Sequence, residues 1–97
     1  MIMSDLTLGS TYTFKLSVTK DGVIWNLVGA TVNLILANPS GIKTTIPAGG
    51  PYNGGASANW TAAGLTGEWL RAWDVTDAGG VRVISDPIGF NVISSPI

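Results

Sequence analysis

The sequence predicts an all-β fold, a sandwich of two packed sheets with seven to eight short antiparallel strands. Three observations support this prediction. Apolar and polar residues alternate in several segments, as in strands with one buried face. Turn-forming Gly, Pro, Asn and Asp recur about every 8–12 residues, as in small sandwiches. No segment has the spacing of an amphipathic helix, and a chain of 97 residues is long enough for a single domain.

The first half of the chain contains four predicted strands, separated by turns. They span residues 11–19, 23–28, 31–37 and 42–46. In the third, Val32, Leu34 and Leu36 point inward, while Ile35 on the other face indicates that this face is not fully solvated. The fourth is short and is predicted to end at Pro47 as an edge strand, because proline cannot donate a ladder hydrogen bond.

A glycine-rich stretch, AGGPYNGGAS at residues 48–57, follows the fourth strand. Its four glycines and one proline predict a long irregular connection between the two sheets. Long loops in compact domains are commonly functional or disordered. Two interpretations stay open, a flexible crossover and a loop that binds a partner through Tyr52 at its tip.

The second half contains the remaining predicted strands and most of the aromatic core. The strands span residues 58–62, 68–75, 81–85 and 88–93. The turn Ala78-Gly79-Gly80 makes a hairpin, since glycine supplies the positive φ that tight turns require. Trp60, Trp69 and Trp73 are predicted to face the core. The single domain 1–97 then has an N-terminal arm (1–9) and a C-terminal tail (94–97).

Arg71 conflicts with this pattern, because it lies between Trp69 and Trp73 on the apolar face. An unpaired buried charge is strongly unfavourable. Three explanations remain. A bulge turns the side chain outward, the side chain lies at the rim and pairs with an acid such as Asp86, or it faces a neighbouring subunit.

Composition excludes several classes of function. The chain has no cysteine and no histidine, so disulfides, thiolate metal sites and the commonest general base are absent. A net charge of −1 without a basic stripe argues against nucleic-acid binding. Charged residues make up only 11%, which indicates either a surface covered by a partner or a neutral surface rich in Thr and Ser. The N-terminus lacks signal-peptide features, so we expect a chain made in the cytoplasm and left unprocessed.

No residue pattern predicts catalysis, a cofactor or a metal site. The carboxylates that a glycosidase pair would need lie at strand ends and turns, where acids keep a surface solvated: Glu68, Asp74, Asp77 and Asp86. The Asp74–Gly79 segment lacks the remaining ligands of a calcium loop. No glycine pair is followed by the lysine and helix of a phosphate-binding loop. We therefore expect a protein that is not an enzyme.

Five segments carry a resemblance to a known family. They are residues 26–32, 38–41, 66–69, 75–81 and 88–92. Together they resemble the Ig-like N-terminal domain of tailed-phage upper baseplate (BppU-type) proteins and related tail and head proteins. The resemblance covers about residues 10–93. Asn26 and Val28 depart from the usual Asp and Thr of the family, and the 48–57 stretch is longer than usual.

The resemblance implies an Ig-like module in a virion, without enzymatic activity. Such a module is expected to act as a small adaptor in the tail or baseplate, or as a capsid decoration protein, with other virion proteins as partners. Contact regions are predicted at residues 1–10, 48–57 and 94–97. The single residues predicted to contact a partner are Pro51, Tyr52, Asn53, Trp25, Arg71 and Ile97.

Glycan binding is the alternative function. Four tryptophans are many for a chain of this size, and exposed tryptophans stack on sugar rings. Because Trp60, Trp69 and Trp73 fit inward positions, Trp25 is the tryptophan expected to be most exposed.

Overall fold

A computed structural model describes residues 5–17, 19–20, 22–52 and 55–94. These residues contain eleven strands and no helix, which confirms the predicted all-β class. The strands are β1 (Asp5–Thr7), β2 (Thr11–Ser17), β3 (Thr19–Lys20), β4 (Val23–Ile24), β5 (Thr31–Ala37), β6 (Lys43–Pro47), β7 (Gly49–Tyr52), β8 (Gly55–Thr61), β9 (Gly67–Thr76), β10 (Arg82–Ile84) and β11 (Ile88–Ile93). The strand number exceeds the predicted seven to eight.

The larger of the two packed sheets, here the large sheet, has six strands. Its order is β1-β11-β9-β5-β6, and β10 pairs with β9 beyond the end of β11. All its pairs are antiparallel except β1 with β11, in which Leu6 lies opposite Val92 in parallel. The predicted N-terminal arm is therefore wrong for Asp5–Thr7, which forms an edge strand. An arm and an edge strand look alike in sequence, because the pairing partner lies 86 residues further along the chain.

The small sheet has three strands in the order β2-β8-β7, and β3 pairs with β4 in a separate short hairpin. The irregular loop predicted at residues 48–57 is wrong, since β7 and the start of β8 fall within it. Ladder hydrogen bonds override the weak strand preference of glycine. Pro51 is tolerated in β7 because that strand lies at the sheet edge. The predicted 23–28 strand is too long, because β4 ends at Ile24; beyond it Asn26 forms an isolated bridge, and a turn at Val28 and Gly29 leads to β5.

Buried apolar side chains fill the space between the two sheets. They are Leu16, Leu27, Val32, Leu34, Leu36, Ala56, Ala58, Ala62, Trp69, Trp73, Val75, Phe90 and Val92. Trp60 packs against this core, with its ring centroid 5.0 Å from that of Trp69 and 6.0 Å from that of Phe90. The inward orientation predicted for Trp69 and Trp73 is confirmed. Among the described residues, no polar or charged side chain is fully buried.

Candidate interaction surfaces

The outer face of the small sheet is polar and internally bonded. β2 and β8 are paired along their full length, so their outward residues lie opposite one another. The Thr11 and Thr61 hydroxyls are 2.8 Å apart, and the Thr13 hydroxyl donates to Asn59 Oδ1 at 2.7 Å. These contacts join outward hydroxyl and amide groups of the two strands into a polar surface.

The outer face of the large sheet carries an apolar groove of about 410 Å³. The strand register brings Ile35 opposite Ala72 and Ala37 opposite Leu70. Ile84 and Pro87 close one side of the groove, and Lys43 and Ser85 lie at its margin. Leu70 and Ile84 remain 43% and 53% exposed. This groove is an uncovered apolar surface on a chain whose opposite outer face is polar.

Side-chain hydrogen bonds fix β10 against β9 next to the groove. The Arg82 guanidinium donates to both Asp74 carboxylate oxygens, at 2.9 and 2.8 Å. The Arg82 hydrogen bonds, against a smaller opposing effect of desolvation, hold the pKa of Asp74 below its usual value. Nearby, the Ser85 hydroxyl accepts a 2.8 Å hydrogen bond from the Trp73 amide, which fixes the link between β10 and β11.

Charges of opposite sign lie on either side of the groove. Lys43 is exposed on β6, opposite Ala37. On the other side, a Cβ added at Gly89 would lie 3.3 Å from Glu68 Oε2, so the Glu68 carboxylate lies over that glycine. Lys43 therefore lines the groove on its β6 side, and the Glu68 carboxylate lies beyond the opposite side, over β11.

Arg71 resolves the conflict through a partner that the sequence did not predict. The register stays continuous from Leu34–Trp73 to Leu36–Arg71, so the predicted bulge is wrong. Its guanidinium carbon lies 5.5 Å from the centre of the Phe14 ring, a cation–π geometry. No ion pair joins Arg71 to Asp86, both of which the structure describes. The row of Arg71 runs from the fully buried Leu36 to the exposed Ile88, so Arg71 lies between the core and the rim of the sandwich.

The structure does not bring the predicted contact residues together in one site. Pro51 and Tyr52 belong to β7 at the edge of the small sheet, whereas Arg71 lies on β9 of the large sheet and is one of the residues that line the groove. Trp25 and Trp60 are both half-buried and pack against the core, whereas Trp69 and Trp73 are buried, so the expectation that Trp25 is the most exposed tryptophan stays a prediction. Asn53 and Ile97 lie outside the described residues.

The acidic residues considered for catalysis do not converge. Asp74 is bound by Arg82, and Asp77 Oδ1 accepts hydrogen bonds from the Gly79 and Val81 amides. Among the described residues, no group of three or more acidic side chains is placed to hold a metal ion. In the same part of the chain, no helix has the length and apolarity that a membrane crossing requires.

Sequence reasoning missed the groove, although one signal pointed to it. The alternation in β5 indicates that Ile35 is an outward apolar residue on a face that is not fully solvated. Leu70 and Ile84 carry the same signal, because each is apolar at an outward position of its strand. Their convergence depends on the pairing of β5, β9 and β10, which the sequence does not specify.

Comparison with known proteins gives one informative result. No protein-family model matches the sequence, and a comparison with curated proteins gives no significant match. Among solved structures, the chain is similar to a putative glycoside hydrolase from Bacteroides vulgatus ATCC 8482, with a TM-score of 0.65 and 12% identity. The match covers 96% of this chain and 17% of that chain. At this identity the likeness shows a shared fold alone.

Proposed function

We propose that this protein is a non-enzymatic structural component of a tailed-phage virion, an Ig-like protein–protein interaction module. The observation that carries the proposal is the apolar groove on the outer face of the large sheet. The largest contiguous apolar patch on a protein surface is often a site of interaction. The resemblance to Ig-like baseplate domains supplies the virion context, with an adaptor in the tail or a decoration protein on the capsid as the two forms.

The distribution of surface charge supports a role in assembly. Only 11 of the 97 residues are charged, five basic and six acidic. Apolar side chains outside the groove are also exposed, including Val28 at 62% and Ile42 at 65%. A surface with so little charge presents a small electrostatic barrier to association.

The test is the protein content of purified phage particles. We expect the chain in intact virions by mass spectrometry, at a copy number that fits a ring or a capsid lattice. Separated heads and tails then distinguish a decoration protein from an adaptor. Absence of the chain from virions, although it is expressed in infected cells, would overturn the proposal.

Glycan binding is the second candidate, because the similar solved structure is named a putative glycoside hydrolase. The burial of Trp69 and Trp73 weighs against it, since their rings are unavailable to stack on a sugar. The discriminating measurement is tryptophan fluorescence across a broad polysaccharide panel. A saturable shift that Trp25→Ala removes would favour glycan binding over the structural role.

A further inference from the structure

We propose that the outer face of the large sheet is an interface between two copies of this chain. The inference deepens the proposed function, on which it rests, by naming the partner of the apolar groove. The two copies pack face to face about a twofold axis that runs between β5 and β9, parallel to the strands.

The first argument is a row of four residues across the large sheet. Ala37 pairs with Lys43 on one side and with Leu70 on the other, and Leu70 pairs with Gly89. The row spans three strand spacings, about 14 Å. Lys43 stands at one end, and the Glu68 carboxylate lies over Gly89 at the other end.

A twofold axis through the middle of this row reverses it in the second copy. Lys43 of each copy then lies against Glu68 of the other copy, so one contact region forms two equivalent ion pairs. Closed dimers have this isologous arrangement, in which each patch is complementary to itself. The charges on this face of one copy are therefore complementary to the charges on the same face of a second copy.

The apolar residues between the charges are complementary under the same operation. The small Ala37 of one copy meets the large Leu70 of the other. In the next row, Ile35 pairs with Ala72, so the large Ile35 meets the small Ala72 of the second copy. Alternation of large and small side chains lets two faces interdigitate. Burial of these side chains supplies the driving force.

Addition of a foreign strand to the sheet edge is a weaker explanation for this surface. The edge strand β6 carries Lys43 and ends with Pro47, two residues that protect edges against pairing. The face measures roughly 14 by 20 Å from strand and residue spacings. This is small against the ~800 Å² per partner of standard complexes, so we expect a weak dimer.

The decisive experiment measures association of the purified chain by sedimentation velocity up to about 500 µM, well above the Kd of a micromolar complex. The wild-type chain should form a dimer. Lys43→Glu and Glu68→Lys should each weaken it at least tenfold, because each creates two like-charge contacts. An equimolar mixture of the two variants should recover dimers, as should the double variant K43E/E68K.

Lys15→Glu is the matched control, because Lys15 is exposed on the outer face of the small sheet. It makes the same charge change and should leave the dimer intact. Circular dichroism verifies the fold of every variant. A wild-type chain that stays monomeric over the whole range overturns the proposal, and so does a dimer that the Lys43 and Glu68 variants weaken no more than the control does.

The proposal of a dimer and the proposal of a virion role can be overturned independently. A monomeric chain found in virions overturns only the dimer. A chain that dimerises as described but is absent from virions overturns only the virion role.

Discussion

At the scale of single residues, two charged side chains show how this chain accommodates charge beside its core. Arg71 lies on the inward side of β9 and places its guanidinium over the Phe14 ring. Asp74, three residues further along, faces outward and binds Arg82 through two hydrogen bonds. The aromatic face of Phe14 is the partner of the Arg71 charge, and Arg82 is the counter-ion of Asp74. Neither charge is left unpaired.

The cation–π contact predicts measurable coupling between Arg71 and Phe14. In a double-mutant cycle with Arg71→Met and Phe14→Leu, we expect a coupling of about 0.5–1 kcal/mol in the free energy of unfolding. Methionine retains most of the packing of the arginine stem. Urea denaturation gives the four stabilities. Lys15→Met is the control. Lys15 is next to Phe14 in β2 but is exposed on the other face, so its coupling to Phe14 should be near zero. Equal coupling in the two cycles would contradict the geometry.

The Asp74–Arg82 pair predicts a defined pH dependence of stability. Since the pKa of Asp74 is lowered in the folded state, its contribution is present above the ordinary pKa of the unfolded chain, about 3.9. The contribution is lost as the pH falls through the lower, folded value. Asp74→Asn should therefore destabilise the protein near about pH 7 and much less near about pH 2.

Urea midpoints at the two pH values measure this difference. Arg82→Gln should likewise destabilise the protein more at the higher pH than at the lower one, because it removes the guanidinium that lowers the pKa of Asp74. If Asp74→Asn is equally destabilising at both pH values, the ion pair does not account for the lowered pKa.

At the scale of elements, the two turns that bound the large sheet use the same device. In the turn between β5 and β6, Asn38 Oδ1 accepts hydrogen bonds from the Ser40 and Ile42 amides. In the hairpin between β9 and β10, Asp77 Oδ1 accepts from the Gly79 and Val81 amides, both at 2.9 Å. Short polar side chains at the first turn position satisfy amides that the ladder leaves unpaired.

The hairpin predicts a difference between two substitutions of Asp77. Asp77→Ala should lower the free energy of unfolding by about 1–2 kcal/mol, because two turn amides lose their acceptor. Asp77→Asn retains an acceptor oxygen and is the matched control, with an expected change within about 0.5 kcal/mol. Thermal or urea unfolding measures both. An equal loss in the two variants would show that charge, rather than acceptor geometry, stabilises the turn.

At the scale of the whole molecule, stability comes from one core between two unequal sheets. The middle of β5 and β9 supplies its centre, where Leu34 is fully buried opposite Trp73. The small sheet covers this centre with alanines of β8, Ala56 and Ala58. The core combines these alanines with large aliphatic and aromatic side chains from both sheets, and it packs closely without a disulfide.

The core predicts a large effect of truncating its central residue. Leu34→Ala should destabilise the protein by about 2–5 kcal/mol, since the surrounding sheets collapse only partly into the cavity. Thr45→Ala on the neighbouring strand β6 is the control, with an expected change within about 0.5 kcal/mol because Thr45 is exposed. A small effect of Leu34→Ala in urea denaturation would show that the two sheets repack readily.

The sequence by itself determined the all-β class, the alternation of strands β2 and β5, the inward tryptophans and most turns. These features depend on short-range patterns, a side-chain period of two and the conformations of Gly, Pro, Asn and Asp. Such patterns can be recognised in a sequence wherever one face of a strand is buried and the other is solvated.

Only the tertiary structure decided the features that depend on distant partners. Asp5–Thr7 and the glycine-rich β7 lack a strand pattern, and each becomes a strand because a neighbouring edge offers hydrogen bonds. The partner of the inward Arg71 is Phe14, which comes from the other sheet and is 57 residues away in the sequence. The groove exists because β5, β9 and β10 align their outward apolar residues. Register between remote strands follows from the summed packing of the whole core, which no local segment encodes.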